Sequence, residues 1–293
     1  MKLSSIILLL TFVGHQSAHA IPARGPSEFG VLRGQIESIE SVDFRGTVGL
    51  GGCSGSLVRF ADSKPNDRAM VMTNGHCYGK FLNPGEFRVN ERKNGSVVLR
   101  AEDGSALGYL DYNLVVYATM TKTDVMLLKL VSTFEEIKDE YGIEAFELSE
   151  DSPNGGDEID LISGYWVEGF TCAISDFVYQ LKEKDWTWEN SIRYAPGCNT
   201  RGGFSGSPLI NRSTKKVVGI HNTGNEDGLM CKLNNPCEVN ENGVVSYEKG
   251  LRYGQQTWWL YTCLDDQNEF DLGKDGCGLP GGNAEFALAY LQP

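Results

Sequence analysis

The sequence predicts an all-β protein, and three observations carry that reading. Short apolar runs alternate along the chain with turns rich in Gly, Asn, Asp and Pro. Glycine supplies 35 of 293 residues, above the ordinary share of about 7%, so tight turns should outnumber long helices. The runs have the length and spacing of a sandwich or barrel rather than of a doubly wound sheet.

Taken in order, strands are expected at 46–50, 55–59, 69–73, 96–100, 114–117, 125–131, 158–162, 173–179 and 217–221. Segment 134–141 (FEEIKDEY) is the exception and reads helical. A loose Gly- and Pro-bearing stretch follows at 149–157, a natural connection between two halves. No internal repeat or low-complexity tract interrupts the pattern.

The N-terminus bears on the compartment. Lys2, the apolar run from Ile6 to Val13 and the small-x-small site Ala18-His19-Ala20 read as a removed signal peptide, residues 1–20. The apolar run is too short to span a bilayer, and no later stretch is long enough. No cysteine follows the cut to carry a lipid. The expectation is a soluble secreted or periplasmic chain, monomeric and free of membrane, with an uncleaved N-terminal anchor as the alternative. Eight cysteines, an even number, suit disulfides in such an oxidising compartment. With 26 Lys and Arg against 39 Asp and Glu, the formal charge is -13. Loss of Lys2 takes it from -13 to -14. A nucleic-acid partner would demand the opposite sign.

Three motifs carry chemistry. Thr73-Asn74-Gly75-His76-Cys77 follows an apolar strand. Thr123-Asp124-Val125-Met126-Leu127-Leu128 places one acid at the mouth of a buried strand. Gly202-Gly203-Phe204-Ser205-Gly206-Ser207 sets a serine among glycines, where a sharp turn can expose a hydroxyl and aim backbone N–H groups at one point. Serine is a weak nucleophile without a base, and the base needs an orienting acid. Each motif has a plainer use, as a structural histidine, a turn-forming aspartate or a glycine turn. Together, the order His76, Asp124, Ser205 matches one of the known triad orders, the chymotrypsin order, and neither the subtilisin nor the α/β-hydrolase order.

At this point the chain resembles a family. The segments CSGSLV (53–58), TNGHC (73–77), TDVMLLKL (123–130), GDEIDLISGY (156–165), GGFSGSPL (202–209) and VVGIHNTG (217–224) resemble trypsin-like, chymotrypsin-fold serine endopeptidases. The bacterial branch that includes V8-type glutamyl endopeptidases is the most similar. The resemblance implies two antiparallel six-stranded β-barrels with the site between them, at 46–148 and 149–260. Residues 21–45 would be an N-terminal segment or propeptide, and 261–293 a cysteine-rich C-terminal extension. It implies that Ser205 attacks the scissile carbonyl, that His76 moves the proton, and that Asp124 orients His76. The amides of Gly203 and Ser205 would hold the oxyanion, and Asn222 to Gly224 would pair with the substrate backbone. Peptides or proteins are the implied partners, and no cofactor or metal is called for.

The resemblance also implies disulfides Cys53–Cys77 and Cys172–Cys198, the second bracing the loop before Ser205. Cys231, Cys237, Cys263 and Cys277 allow three connectivities. The neighbour pairings 231–237 and 263–277 are preferred over a zinc site, whose spacings they lack. Calcium at the acidic run 265–271 is weighed against a solvated loop, which the lack of an EF-hand ladder favours.

Two departures stand out. Phe204 occupies the place where animal trypsins carry an acid that pairs with a new N-terminus. Arg24, Arg33 and Arg45 are the candidate processing sites, none of them compelling. The specificity pocket has Asn199 where a trypsin acid would stand, followed by Thr200, and has His221 sixteen residues after Ser205. A hydroxyl and a histidine can hold a carboxylate without a permanent buried charge. The glutamyl endopeptidases that the chain resembles place a threonine or serine and a histidine at similar positions, so the resemblance implies glutamate as the P1 residue, the one whose carbonyl is cut, although His221 as a core histidine is the plainer reading. The acidic surface repels such substrates at long range, but salt screens exposed charges beyond about 8 Å. The alternatives are an inactive protease-like binding protein and an active protease with a non-acidic P1 residue. A stress protease with chaperone duties would need a peptide-binding domain, and the residues after Asn225 are too few. The tail from Asn225 is expected to pack on the second barrel.

Overall fold

The computed structural model describes residues 42–283. The signal segment, Arg24 and Arg33 lie outside the described residues, as does the chain beyond 283. The first sheet contains β1 (Thr47–Leu50), β2 (Cys53–Arg59), β3 (Arg68–Thr73), β4 (Phe87–Arg100), β5 (Ala106–Thr119), β6 (Val125–Thr133) and the two-residue β7 (Phe146–Glu147). Its order β1-β4-β5-β6-β3-β2, with β2 paired back to β1, closes a ring of six antiparallel strands; β7 adds in parallel to β2. The second sheet contains β8 (Glu158–Ser163), β9 (Glu168–Glu183), β10 (Trp186–Tyr194), β11 (Pro208–Asn211), β12 (Val217–Gly224), β13 (Cys237–Val239), β14 (Val245–Ser246) and β15 (Arg252–Gln256). Here β10-β15-β12-β11-β8-β9 closes a second six-strand ring through the β9–β10 pairing, and β13 and β14 extend it outward from β9. Two such rings in one chain form the chymotrypsin-like fold.

Side-chain alternation explains why these runs are strands. Along β6, Met126, Leu128 and Leu130 enter one core, while Val125 and Leu127 enter another. Along β3, Ala69 and Val71 face the first core, and Met70 and Met72 the second. A strand buried on both faces reads as one apolar run, and that is how VMLL and AMVM stand in the sequence. The second ring is filled by Ile159, Leu161, Ile174, Ile192, Leu209 and Val218.

Helix α1 (Phe134–Tyr141) occupies the range its sequence predicts. The Thr133 hydroxyl accepts from the Glu136 amide at 3.2 Å, and the Glu136 carboxylate accepts from the Thr133 amide at 2.9 Å. That reciprocal pair closes the N-terminus, and Gly142 at φ 69° ends the helix. Among the described residues no helix is long and apolar enough to cross a membrane.

Several strands exceed the sequence reading. β10, β11 and β15 have no counterpart in it, and β4, β5 and β9 are longer than expected. The outer half of β4 is exposed and polar, so it lacks the apolar alternation that marks a half-buried strand. β10 carries Asn190 at φ 48°, which interrupts its pattern.

The tail divides. β13 pairs with β9, and β15 completes the second ring between β10 and β12. From Trp258 onward the chain packs into a core shared by both rings, with Leu260, Cys263 and Leu279 among Phe60 and Tyr117 of the first and Ile210 and Val217 of the second. Tyr261 packs edge-on to Phe60 at 5.1 Å, and Phe270 lies 5.2 Å from Tyr117. The Tyr117 hydroxyl donates to the Pro280 carbonyl at 2.9 Å. In the acidic run, Asp265 accepts the amides of Gln267 and Glu269, while Glu269 pairs with Lys129 at 3.0 Å.

The cysteines pair as Cys53–Cys77, Cys172–Cys198, Cys231–Cys237 and Cys263–Cys277. The first spans 24 positions and ties β2 to the turn that follows β3. Replacing both its cysteines by serine should cost about 3 kcal/mol, the loop entropy returned to the unfolded chain. Denaturant titration of the double variant checks this, with an unchanged midpoint as the contrary result.

Candidate active site

His76 sits in the 3₁₀ turn Gly75–Tyr78, directly after β3. The turn is pressed against β5: a Cβ at Gly75 would lie 1.9 Å from the Thr119 carbonyl, so only glycine fits. Asp124 opens β6, the neighbour of β3, and its carboxylate is fully buried. One carboxylate oxygen accepts the His76 amide at 3.0 Å, and the other lies 2.8 Å from Nδ1. Asn74 Nδ2 donates to the Asp124 carbonyl at 2.8 Å, locking the turn to the strand. Burial pushes the imidazole pKa down, but the charge and hydrogen bond of Asp124, and the charge of Glu183, raise it above the ordinary value overall. The imidazole is 19% exposed and lines a cleft of about 570 Å³ that Ser205 also lines.

The serine turn is built from the second ring and held by the first. Gly203 adopts φ 95° and Gly206 φ 84°, regions costly for any residue with a Cβ. Phe204 packs into the core of the second ring, 5.5 Å from Phe170, anchoring the turn from below. The Ser207 amide donates to the Phe204 carbonyl at 2.9 Å, and the Gly206 amide to His221 at 2.9 Å. From the first ring, the Ser54 amide donates to the Ser205 carbonyl at 2.8 Å, and Ser54 Oγ donates to the Gly203 carbonyl at 3.0 Å. Among the described residues the amides of Gly203 and Ser205 have no acceptor. The side-chain hydrogen bond of the imidazole is to Asp124, and none joins it to Ser205. Catalytic hydrogen bonds of this kind often tighten only around a bound substrate. Cys53 and Cys77 place sulfur beside His76, but the disulfide leaves no thiolate for a metal.

The other sequence-named residues divide. Thr200, His221, Asn222 and Gly224 line the cleft with Ser205. Thr200 is 2% exposed, and its hydroxyl has no hydrogen-bond partner; neither side-chain atom of Asn222 has one. Asn199 is exposed and is not among the cleft-lining residues; Cys198 before it and Thr200 after it are buried. Gly203 belongs to the turn, packed against Trp166 and Tyr165, rather than to the cleft lining. His221 Nδ1 meets the Tyr194 hydroxyl at 3.2 Å. Burial, then the charges of Arg252 and His76, push its pKa down to about 3, so it is neutral at ordinary pH.

Arg252 and Glu183 were not found from sequence, yet both line the cleft. Arg252 lies in β15 opposite Gly224 of β12, where a Cβ would come within 2.3 Å of the Arg252 side chain. Its Nε donates to the Thr200 carbonyl at 2.9 Å, and Nη1 donates to the Asn225 carbonyl at 3.2 Å. Those acceptors are carbonyls rather than carboxylates, and burial lowers the Arg252 pKa while the exposed Glu226 at the rim raises it. The polar run Arg252-Tyr253-Gly254-Gln255-Gln256 carries no local mark of a buried strand, so no sequence signal pointed to Arg252.

With two six-strand rings and a serine, a histidine and an aspartate gathered at one cleft, the molecule is a trypsin-like serine protease in architecture. The trypsin-like peptidase domain model matches residues 53–220, more than half of the chain, and the chain belongs to that family. No curated protein matches it in sequence. Among solved structures, the apo MamO protease domain from Magnetospirillum magneticum is 16% identical with a TM-score of 0.47, covering 78% of this chain and 99% of its own. The protease Anisep from Arthrobacter nicotinovorans is 16% identical with a TM-score of 0.43, covering 73% of this chain and 91% of its own. The Nocardiopsis protease is 14% identical with a TM-score of 0.42, covering 73% and 92%. Likeness at this level assigns no residue role.

Gly206→Ala should strain the serine turn, since its Cβ would meet the Ser54 carbonyl at 2.2 Å at a φ of 84°. A loss of about 2–3 kcal/mol is expected, seen as a melting temperature lowered by roughly 4–10 °C. A melting curve superimposable on the parent would contradict it.

Proposed function

We propose that the chain is an exported serine endopeptidase that works through an acyl-enzyme and cuts after acidic residues. The observation that carries the catalytic reading is the 2.8 Å His76–Asp124 contact at the cleft that Ser205 lines. Ser205 Oγ attacks the peptide carbonyl carbon while His76 takes its proton. The resulting oxyanion is received by the amides of Gly203 and Ser205, neither of which has an acceptor among the described residues. Each such donor is worth roughly 3 kcal/mol toward the transition state. His76 then hands its proton to the leaving amine as the C–N bond breaks. In the second half His76 deprotonates water, which attacks the ester carbonyl; His76 then returns that proton to Ser205 Oγ as the acyl–Oγ bond breaks, releasing the acid and restoring the serine. Asp124 stays ionised and accepts a hydrogen bond from Nδ1–H, which sets the tautomer and offsets the imidazolium charge.

Acidic P1 preference is supported by Arg252. Its charge lies beside the Thr200 backbone, in the cleft that holds the unpartnered Thr200 hydroxyl and neutral His221. A substrate carboxylate there gains a cation and hydroxyl donation, and a ring N–H when Tyr194 donates to Nδ1. This end of the cleft is the feature that would align the chain with V8-type glutamyl endopeptidases. The four disulfides suit secretion or a periplasmic location. The absence of a His76–Ser205 hydrogen bond is the one feature suited to a non-catalytic peptide-binding cleft.

A serine-directed phosphonate should label the mature protein at Ser205, and Ser205→Ala should lose at least about 10⁴-fold in kcat. An unlabelled Ser205 in processed protein would favour the binding-cleft reading. Because the protonated imidazole cannot accept the serine proton, kcat/KM should fall as pH drops through the His76 pKa, with a midpoint above 6.5. A midpoint below 6.5 would count against that assignment. Peptides with Glu at P1 should outrun Gln peptides, and Arg252→Gln should shrink the ratio by about 10–100-fold. Equal cleavage of Glu, Gln, Lys and Leu peptides would rule out the P1 reading.

A further inference from the structure

Glu183 is the buried acid that the mechanism leaves without a task. It ends β9, is 5% exposed, and lines the same cleft as His76 and Ser205. Its carboxylate accepts the Thr223 hydroxyl at 2.5 Å and the Asn234 amide at 2.9 Å. Those are two contacts for a group with about four lone-pair sites, so acceptor capacity remains. In the buried state its pKa is raised, first by desolvation, although the Thr223 and Asn234 hydrogen bonds and the charge of His76 oppose this. A buried carboxylate of this kind is costly unless a cation joins it.

The surroundings are those of a cation site. Trp186, across the hairpin register from Glu183, packs edge-on to Phe81 at 5.3 Å, and Phe81 lies 6.2 Å from the His76 ring. Phe81 is 48% exposed and forms part of the cleft wall. Leu233 and Asn234 come from the short loop closed by Cys231–Cys237 and form the facing side. Aromatic ring faces with a carboxylate beside them suit an ammonium or guanidinium on an apolar stem.

The position along a substrate follows from strand geometry. A peptide paired with the edge at Thr223 and Gly224 is extended, so successive side chains point to opposite walls. If the P1 side chain turns toward Thr200, His221 and Arg252, the preceding one, P2, turns toward the wall that carries His76, Phe81 and Glu183. We propose that Glu183, Trp186 and Phe81 form a subsite for a basic P2 side chain, so that the preferred substrate carries Lys or Arg directly before an acidic residue. This rests on the endopeptidase reading and deepens it. It also answers the charge conflict: an acidic protein repels a run of acids, whereas a basic-acidic pair is neutral overall.

Two measurements on the mature protein test the subsite, one of them independent of turnover. In the first, peptides with Glu at P1 and Lys, Arg, Gln or Leu at P2 are compared by kcat/KM. Lys and Arg should exceed Leu by about tenfold. Glu183→Gln, which can keep the Thr223 contact, should bring the ratio near one while leaving the P1 order intact. Phe81→Ala, at an exposed position, should reduce it severalfold without a risk to folding. In the second, short product-like peptides ending in Lys-Glu and Leu-Glu are titrated by calorimetry. Tighter binding of Lys-Glu by about tenfold supports the subsite even in a protein that turns nothing over, and only the catalytic reading would then fall. Cleavage with no P2 preference, a preference that survives Glu183→Gln, or equal or absent binding of the two product peptides overturns it.

Discussion

Ser54 of β2 joins the two rings at the point where chemistry would occur, and the geometry of the cleft depends on it. Its amide donates to the Ser205 carbonyl, and its own carbonyl accepts the Thr73 hydroxyl at 2.7 Å, one residue before Asn74. Its hydroxyl donates to the Gly203 carbonyl, receives the Tyr165 amide at 3.2 Å, and meets the Ser163 hydroxyl at 2.8 Å. Ser54 is fully buried, so each group would be expensive to leave unpaired. The serine turn is therefore indexed to the strand end that carries His76 rather than to its own ring alone. Gly206 is the counterpart of this grip, because no side chain could stand between the turn and the Ser54 carbonyl.

A second tie runs in the opposite direction, from the second ring to the first. The tip of the β9–β10 hairpin reaches over the first sheet, where Trp186 donates to the Leu82 carbonyl at 2.8 Å and Trp188 to Met120 at 3.1 Å. The Lys122 and Glu189 amides add backbone bonds between Lys122 and the hairpin. Both tryptophans bury their rings in the first core while satisfying their one N–H each. The hairpin brings Glu183 to the cleft, and β15 brings Arg252, so opposite charges line one groove with His76 beside them. In a cleft partly shielded from water these local charges outweigh the net charge of the molecule at contact distance.

The all-β class, the α1 helix and the glycine-flanked serine turn were legible because near neighbours decide them. Side-chain alternation, cap chemistry and the need for positive φ all act within a few residues. The motif order around His76, Asp124 and Ser205 was legible for the same reason, as each residue sits in a short pattern of its own. The resemblance those patterns carry also implied two rings.

Tertiary structure alone decided what faces what. Arg252 enters the cleft because β15 pairs with β12 in a register that sets it opposite Gly224, and no local pattern encodes that register. Glu183 reaches the cleft by the length of a hairpin only part of which looked like strand. Asn199 and Thr200 are adjacent, yet one is exposed and the other buried, because the Cys172–Cys198 disulfide fixes the chain just before them. The C-terminal segment is fixed against Tyr117 and Phe60 by aromatic contacts between residues about 150–200 positions apart. Sequence determined the elements and the chemistry they could carry, since both depend on covalent neighbours and backbone sterics. Their meeting at one cleft was decided by long-range strand register and by buried polar groups that had to find partners.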